Sequence, residues 1–116
     1  MDEIYKVTML MDFYGKLLTE RQNEILDLYY NNDYSLAEIS EHLGISRQGV
    51  HDIIKRSKVI MIEYENKLGL VSNHLSFKKK VSYIVEIIQD IDMNNFDSKN
   101  KEKILKVKAE IDQLVN

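Results

Sequence analysis

The sequence contains no cysteine and no proline among its 116 residues. Without cysteine the chain can form neither disulfide bonds nor thiolate metal sites, and nothing in it points to export. The three histidines, His42, His51 and His74, lack the spacing of metal ligands. We therefore expect no metal and no other cofactor.

Long apolar runs are missing as well. No run approaches the ~20 residues that a membrane-spanning helix needs. The acidic Asp2 and Glu3 stand where a signal peptide would carry basic residues. The sequence therefore predicts a cytoplasmic protein that does not insert into a membrane.

Catalytic motifs are the third absence. The sequence shows no glycine-rich phosphate loop, no nucleophile–base pair and no metal cluster. Glu38 and Glu41 lie three residues apart, but a solvated helix face explains them better than acid–base chemistry does. We do not expect an enzyme.

The formal net charge of −3 conceals an uneven distribution. Residues 1–45 carry nine acids and three bases, a net −6. Residues 46–80 carry eight bases and three acids, a net +5, and residues 81–116 carry seven acids and five bases, a net −2. Because phosphates bind lysine and arginine, the central basic block can form a nucleic-acid surface within an acidic protein.

Helical periodicity dominates the chain and strand signals are weak, so we predict an all-α fold class. The predicted helices cover residues 2–14, Thr19 to the turn at 31–33, Ser35 to Gly44, Ser46 to Leu68, residues 76–94, and Asp97 or Ser98 to Leu114. Residues 70–75 are expected to form a short connection. Since the last two apolar stripes match in length, we expect an antiparallel helical hairpin there.

Two domains follow from this division of the chain. Residues 1–69 form a helix-turn-helix domain with an N-terminal helix, and residues 70–116 form the C-terminal hairpin, packed on that domain or forming a dimer interface. The four apolar residues from Val59 to Ile62 point all round their helix, so we expect burial on more than one side. We favour a homodimer through the C-terminal helices.

The stretch SLAEISEHLGISRQGVHDIIKR, residues 35–56, fits a helix-turn-helix motif. Such a motif needs a small residue where its helices touch and a turn that permits a positive φ. Ser40 and Gly44 supply these two features. The apolar residues that set the crossing of the helices are Ile39, Leu43, Ile45, Val50 and Ile53.

The second helix of the motif carries the candidate binding residues. Its outward positions are Arg47, Gln48, His51, Asp52, Lys55 and Arg56. Arginine suits guanine and glutamine suits adenine in the major groove, whereas Lys55, Arg56 and Lys58 lie where phosphates are expected. The N–H groups near Ser35, at the start of the preceding helix, are a further predicted phosphate contact.

Each of these residues also has an ordinary explanation. Arg47 is a surface arginine that can pair with Glu41 or Asp52, and Asp52 repels phosphates. Gly49 either lets a partner approach the backbone or is merely tolerated. The triplet at residues 78–80, three lysines, is a solvated face unless it lies beside the second helix of the motif.

The run LTERQNEILDLYYNNDYSLAEISEHLGISRQGVHDIIKRSK resembles region 4 of bacterial sigma-70 factors, over roughly residues 17–68. That domain binds the promoter −35 element through its recognition helix. The resemblance implies a sigma-70 region 4-like helix-turn-helix core. It places the recognition positions at Ser46, Arg47, Gln48, His51, Asp52, Lys55 and Arg56.

The whole chain, including MDEIYKVTMLMDFYGKLLTERQ, resembles the small YlxM family of Firmicutes and Mollicutes. The resemblance implies a non-catalytic regulatory protein, linked by gene neighbourhood to the signal recognition particle pathway. Two hypotheses follow. The protein binds DNA or the particle's RNA through its helix-turn-helix, or it is an accessory factor of the targeting GTPase and RNA without sequence-specific DNA binding.

Overall fold

The computed structural model describes residues 2–115, and the side chains of residues 2–114. These residues contain no strand, and the predicted all-α fold is confirmed. The helices are α1 (Glu3–Tyr14), α2 (Glu20–Leu26), α3 (Leu36–Leu43), α4 (Arg47–Leu68), α5 (Leu70–Gln89) and α6 (Ser98–Val115). Single 3₁₀ turns lie at Gly15–Leu17 and Met93–Asn95, and a π-helical segment, Asp27–Asn31, continues α2.

The chain forms two units, the first ending at Ser72 and the second beginning at Asn73. In the first unit α1, α2 and α3 all contact α4. The buried apolar side chains of this unit form one cluster. Burying each large aliphatic side chain stabilises the folded state by about 1.5–3 kcal/mol. The buried apolar members of the cluster are Val7, Leu10, Tyr14, Ile25, Leu26, Ile39, Val50, Ile54 and Met61.

The predicted helix starts of the first unit are confirmed. Thr19 and Gln22 form a capping box on α2, and Ser35 and Glu38 form another on α3. In both boxes a hydroxyl accepts a backbone N–H inside the helix while the second side chain accepts the N–H of the capping residue. Ser46 caps α4 by accepting the Gly49 N–H at 2.9 Å.

The turn of the helix-turn-helix is organised by Ser40 and Gly44. Gly44 ends α3 in the left-handed conformation with φ 69°, which glycine adopts without the cost that a Cβ imposes. The Ser40 carbonyl accepts the N–H groups of Gly44 and Ile45 at 2.9 and 3.2 Å, and its hydroxyl donates to the Ile45 carbonyl. Ser40 therefore fixes the turn by hydrogen bonds, in addition to being small.

The expectation that the run from Val59 to Ile62 is buried on more than one side is wrong. Met61 is fully buried, but Val59 is 50% exposed and Ile62 is 48% exposed. Four consecutive residues span a full helical turn, and α4 lies on the core with one face only. Two of the four must therefore point away from it.

The predicted connection at residues 70–75 is also wrong, because α5 begins at Leu70, directly after Gly69. Gly69 ends α4 in the left-handed conformation with φ 64°. The first N–H groups of a helix need partners from outside the helix. Here one partner, Tyr14, lies 56 residues away from Leu70 in the sequence, and the other, Glu65, lies in the preceding helix.

Tyr14 and Glu65 supply these partners. The Tyr14 hydroxyl donates to Glu65 Oε1 at 2.5 Å and accepts the Leu70 N–H at 3.2 Å. The Glu65 carboxylate accepts the N–H groups of Val71 and Ser72 at 3.0 and 3.1 Å. This Tyr14–Glu65 clamp joins α1, α4 and the start of α5, and a negative charge at a helix N-terminus is favourable.

The clamp shifts both pKa values in directions that preserve it. Burial raises the pKa of the Tyr14 hydroxyl, with the hydrogen bond to Glu65 adding to the effect, so the hydroxyl keeps its proton. Burial opposes the ionised form of Glu65, but hydrogen bonds from Tyr14 and from the Val71 and Ser72 N–H groups outweigh it and lower its pKa.

The second unit contains the rest of α5 and α6. α5 ends at Gln89 rather than at the predicted residue 94, and Asp92 caps the following 3₁₀ turn. Of the two predicted caps for α6, Asp97 is the one observed, because its carboxylate accepts the Asn100 N–H at 2.7 Å. The hairpin of α5 and α6, and the domain limits at residues 69 and 70, stay predictions.

Replacing Glu65 by glutamine should destabilise the protein by about 1 kcal/mol at neutral pH, because a neutral amide loses the charge-assisted bonds of the clamp. The folded-state pKa of Glu65 lies below its ordinary value. The stabilisation is therefore present above the unfolded-state pKa and is lost as the pH falls through the folded-state pKa. Urea denaturation followed by circular dichroism at neutral and strongly acidic pH measures the difference.

The matched control is Glu63→Gln, which makes the same chemical change at an exposed position of α4. It should leave the unfolding midpoint nearly unchanged at either pH. Two results would contradict a stabilising role for the clamp. One is equal destabilisation by the two variants, and the other is a loss of unfolding free energy in Glu65→Gln that persists at acidic pH.

Candidate nucleic-acid interface

The N-terminal half of α4 presents most of the predicted binding residues to solvent. Ser46, Arg47, Gln48, His51, Lys55 and Arg56 are exposed, and Asp52 and Lys58 are half-buried. The opposite face carries Val50, Ile54 and Ser57, all buried in the core. Over the first turns of α4, the helical period therefore places the buried residues on one face and the candidate binding residues on the opposite face.

The outward face contains one acid, Asp52, which contacts Gln48 and His51 rather than an arginine or lysine. Asp52 Oδ1 accepts Gln48 Nε2 at 3.0 Å and lies 3.9 Å from His51 Nδ1. Arg47 makes no ion pair with Asp52 or Glu41 within residues 2–115, and its guanidinium is exposed. The first turn of α4 contains no acid, whereas the first turns of α1, α2 and α3 each contain one.

Lys58 points towards α1 and not into the open. Its Nζ lies 3.0 Å from Glu3 Oε1, and its side chain is 27% exposed. Burial works against its charged form, but hydrogen bonds to Glu3 and Tyr30 outweigh this and raise the pKa of Lys58. Its predicted role as a phosphate ligand stays a prediction, and the ion pair with Glu3 competes with that role.

The start of α3 is an unfavourable phosphate site. The Ser35 N–H donates to Glu38 Oε1 at 3.0 Å, and the Ser35 hydroxyl accepts the Glu38 N–H at 3.0 Å. The bond from the Ser35 backbone holds the pKa of Glu38 below its ordinary value, so this helix end already carries a carboxylate. The contact predicted at Ser35 is untested, but a phosphate there would meet a negative charge.

Gly49 has a local explanation that sequence reasoning missed. It occupies the third position of α4, where its N–H bonds the Ser46 hydroxyl. A Cβ on Gly49 would lie 3.1 Å from Ser46 Oγ, which is a tight contact. Glycine therefore keeps the cap of α4 close to the first turn, and this role requires no partner molecule.

Sequence reasoning also missed a cleft beside α4. Tyr29 and Tyr30, from the π-helical segment, border a cleft that reaches His51 and Lys55 on α4. In the sequence, the only indication of this cleft is the pair of adjacent tyrosines, Tyr29 and Tyr30. The π-helical turn that directs them into the cleft cannot be recognised from the sequence.

The lysines at residues 78–80 are exposed on α5, in the second unit. Within residues 2–115, no group of three or more histidine and carboxylate side chains could hold a metal ion. In the same part of the chain, no helix combines the length and hydrophobicity needed to cross a membrane.

Comparison with known proteins places this geometry in a family. Residues 1–108 match the model of the UPF0122 family, described as "Putative helix-turn-helix protein, YlxM / p13 like". A UPF0122 protein of Acetivibrio thermocellus is 48% identical over 115 residues, covering 99% of this chain and 98% of the relative. One from Clostridium kluyveri is 43% identical over 108 residues, covering 93% and 94%. A third, from Caldanaerobacter subterraneus, is 54% identical over 87 residues, covering 75% and 74%.

The matched residues include α1 to α5 and most of α6. The family match therefore covers all six helices and not the helix-turn-helix motif alone. The helix-turn-helix predicted from residues 35–56 has the expected turn at Gly44 and the expected cap at Ser46. On the extent of the family match and on these relatives, the chain belongs to the UPF0122 family of YlxM-like helix-turn-helix proteins.

Proposed function

We propose that this protein is a nucleic-acid-binding regulator that contacts its ligand with the outward face of α4. The observation that supports this most is the charge of that face. The face has three exposed bases, Arg47, Lys55 and Arg56, and its one acid is Asp52, which gives a net +2. An exposed basic helix on a helix-turn-helix scaffold fits a major groove.

Within this proposal, the first turns of α4 contact base edges and the following turn contacts phosphates. Arg47 and His51 are exposed near the start of the helix, where base contacts are made in this motif. Lys55 and Arg56 lie further along, where phosphate contacts position a protein without specifying sequence. The function is one of binding, not of catalysis, and it is exercised in the cytoplasm.

Arg47→Ala should weaken binding to a preferred site by roughly tenfold and flatten the sequence preference, because an arginine that contacts a base edge contributes about 1–3 kcal/mol. Lys55→Ala should weaken binding to all sequences about equally and lower the salt slope by about one. Selection from random DNA and RNA pools, followed by fluorescence anisotropy at several salt concentrations, measures both effects.

Lys67→Ala is the control, since it removes an exposed lysine from the last turn of α4, beyond the proposed face. It should leave affinity and salt slope unchanged. If Arg47→Ala bound every sequence as the parent does, base recognition by α4 would be excluded. A uniform loss for all three lysine and arginine variants would indicate nonspecific charge attraction only.

A second candidate function is supported by the C-terminal part of the same helix. Val59 and Ile62 are exposed apolar residues just beyond the basic turns, and such side chains suit a protein partner more than a phosphate backbone. In this alternative the protein is an accessory factor of the signal recognition particle, in contact with its RNA, its GTPase or both, without sequence-specific DNA binding.

Two variants separate these candidates. Ile62→Asp should weaken binding to the purified targeting GTPase by at least tenfold and leave nucleic-acid binding unchanged, because the aspartate would be desolvated in an apolar contact. Arg47→Ala should do the reverse. Titrations against the GTPase alone, the particle's RNA alone and DNA give the comparison. If the parent protein did not bind the GTPase, the accessory role through that partner would be excluded.

We also propose a homodimer through the second unit. Val81 is the one residue that is buried within residues 73–114. The exposed large apolar residues of this unit, 38–62% exposed, are Phe77, Tyr83, Ile84, Ile87, Leu105, Val107 and Leu114. These side chains offer apolar surface that a second copy of the chain can cover, and a standard interface takes ~800 Å² from each partner.

Light scattering after size exclusion should therefore show two chains for the parent protein and one for Ile87→Glu, because a charge would be buried in the interface. Tyr5→Glu places the same charge on an exposed apolar residue of α1 and should remain dimeric. A parent protein that stays monomeric at high concentration would exclude the dimer.

A further inference from the structure

The cleft beside α4 combines aromatic walls with a basic rim. Its volume is about 340 Å³, at the lower end of the ~300–1,000 Å³ range of small-molecule clefts. The cleft is formed by the π-helical segment, the start of α3 and the outer edge of α4. Its lining residues are Tyr29, Tyr30, Leu36, His51, Ile54, Lys55 and Lys58.

The backbone that presents the two tyrosines is unusual and firmly held. Asp27–Asn31 is π-helical, and such turns are rare and often occur at functional sites. The Asn32 N–H donates to the Asp27 carbonyl at 3.1 Å, and the Asp27 carboxylate accepts the Asn31 amide at 2.8 Å. Asp33 then adopts a positive φ of 57°, which costs energy in a residue with a Cβ.

The tyrosine rings are held in a defined arrangement. The ring centroids of Tyr29 and Tyr30 are 5.0 Å apart with an interplanar angle of 85°, the edge-to-face geometry that aromatic pairs favour. Tyr30 and Lys58 both line the cleft. Both rings are half-buried and line the cleft, so they offer aromatic surface that is already ordered before a ligand arrives.

Charge distinguishes this cleft from its neighbours. Its lining contains no carboxylate, and its bases are His51, Lys55 and Lys58, of which Lys58 pairs with Glu3. The three other clefts described in the first unit each include a glutamate, from Glu3 or Glu65. A ligand for the cleft beside α4 should therefore have a flat aromatic group for the tyrosines and negative charge for the rim.

We propose that this cleft binds an unpaired nucleobase, with its phosphate on Lys55, which is exposed at the rim. Stacking on tyrosine suits every base, since each has a π-face. His51 and Lys55 also belong to the outward face of α4, so a base in the cleft is next to the duplex that α4 contacts. The inference rests on the proposed function and specifies its ligand: a duplex interrupted by a bulged or single-stranded nucleotide, in RNA or DNA.

The first test uses the unaltered protein and four hairpin oligonucleotides, two of RNA and two of DNA. In each pair, one hairpin carries a single bulged 2-aminopurine and the other carries the same base paired in the stem. The protein should bind the bulged hairpin about tenfold more tightly and quench its 2-aminopurine fluorescence through stacking. The RNA and DNA arms show which nucleic acid supplies the base.

Tyrosine variants then locate the effect. Tyr30→Leu should remove both the quenching and the tenfold preference while leaving affinity for the paired hairpin unchanged. Tyr30→Phe keeps the ring and should retain both. Tyr5→Leu, at an exposed tyrosine of α1, is the matched control and should behave as the parent does. Circular dichroism verifies that each variant is folded, and the fluorescence of the unaltered protein decides the question if Tyr30→Leu is not.

The outcomes separate this inference from the function on which it rests. Equal affinity for bulged and paired hairpins, without quenching, would overturn the cleft as a base site and leave nucleic-acid binding by α4 standing. A bulge preference that survives in a folded Tyr30→Leu variant would overturn it as well. If no hairpin were bound at all, both the proposed function and the inference would fall.

Discussion

The rest of the structure depends on one constraint: α4 supplies buried side chains to the core and exposed side chains to the candidate interface. Every other helix of the first unit contacts it, and Val50, Ile54, Ser57 and Met61 bury its inner face. Because the α-helix repeats every 3.6 residues, the outward residues are then fixed in space by the packing of the inner ones. A rigid face on a packed helix suits recognition better than a loop would.

The Tyr14–Glu65 clamp extends this constraint to the point where the chain leaves the first unit. Gly69 alone separates two long helices, and the N–H groups at the start of α5 are satisfied by a phenol and a carboxylate from α1 and α4. Polar groups this close to a core must be paired to be tolerated. The clamp thus defines where α5 starts and stabilises the first unit.

Electrostatics explains how an acidic chain can carry a nucleic-acid surface. The net charge of −3 is a property of the whole molecule, whereas phosphates respond to the charge within about 10 Å at moderate salt. On α4, Arg47, Lys55 and Arg56 are exposed. The acids of residues 1–45 lie on other elements, and of these Glu3 pairs with Lys58. The tyrosine cleft adds aromatic surface at the edge of the same face. Proteins that bind single-stranded nucleic acid combine basic and aromatic side chains in this way.

The sequence by itself determined the features that depend on neighbours along the chain. The capping boxes at Thr19 and Ser35, the glycine stops at Gly44 and Gly69, and the alternation of buried and exposed residues on α4 all follow from local chemistry. The outward positions of Arg47 and Gln48 follow in the same way. These features are governed by residues three or four apart, and a pattern at that spacing is visible in a sequence.

Only the tertiary structure decided the features that join distant residues. Exposure of Val59 and Ile62, the start of α5 at Leu70, the pairing of Lys58 with Glu3 and the tyrosine cleft each depend on contacts between different helices. The Lys58–Glu3 pair spans 55 residues and the Tyr14–Glu65 bond spans 51. Helical periodicity predicts which face of a helix is apolar. It does not say how much of that face another helix covers, or which distant residue pairs with a given side chain.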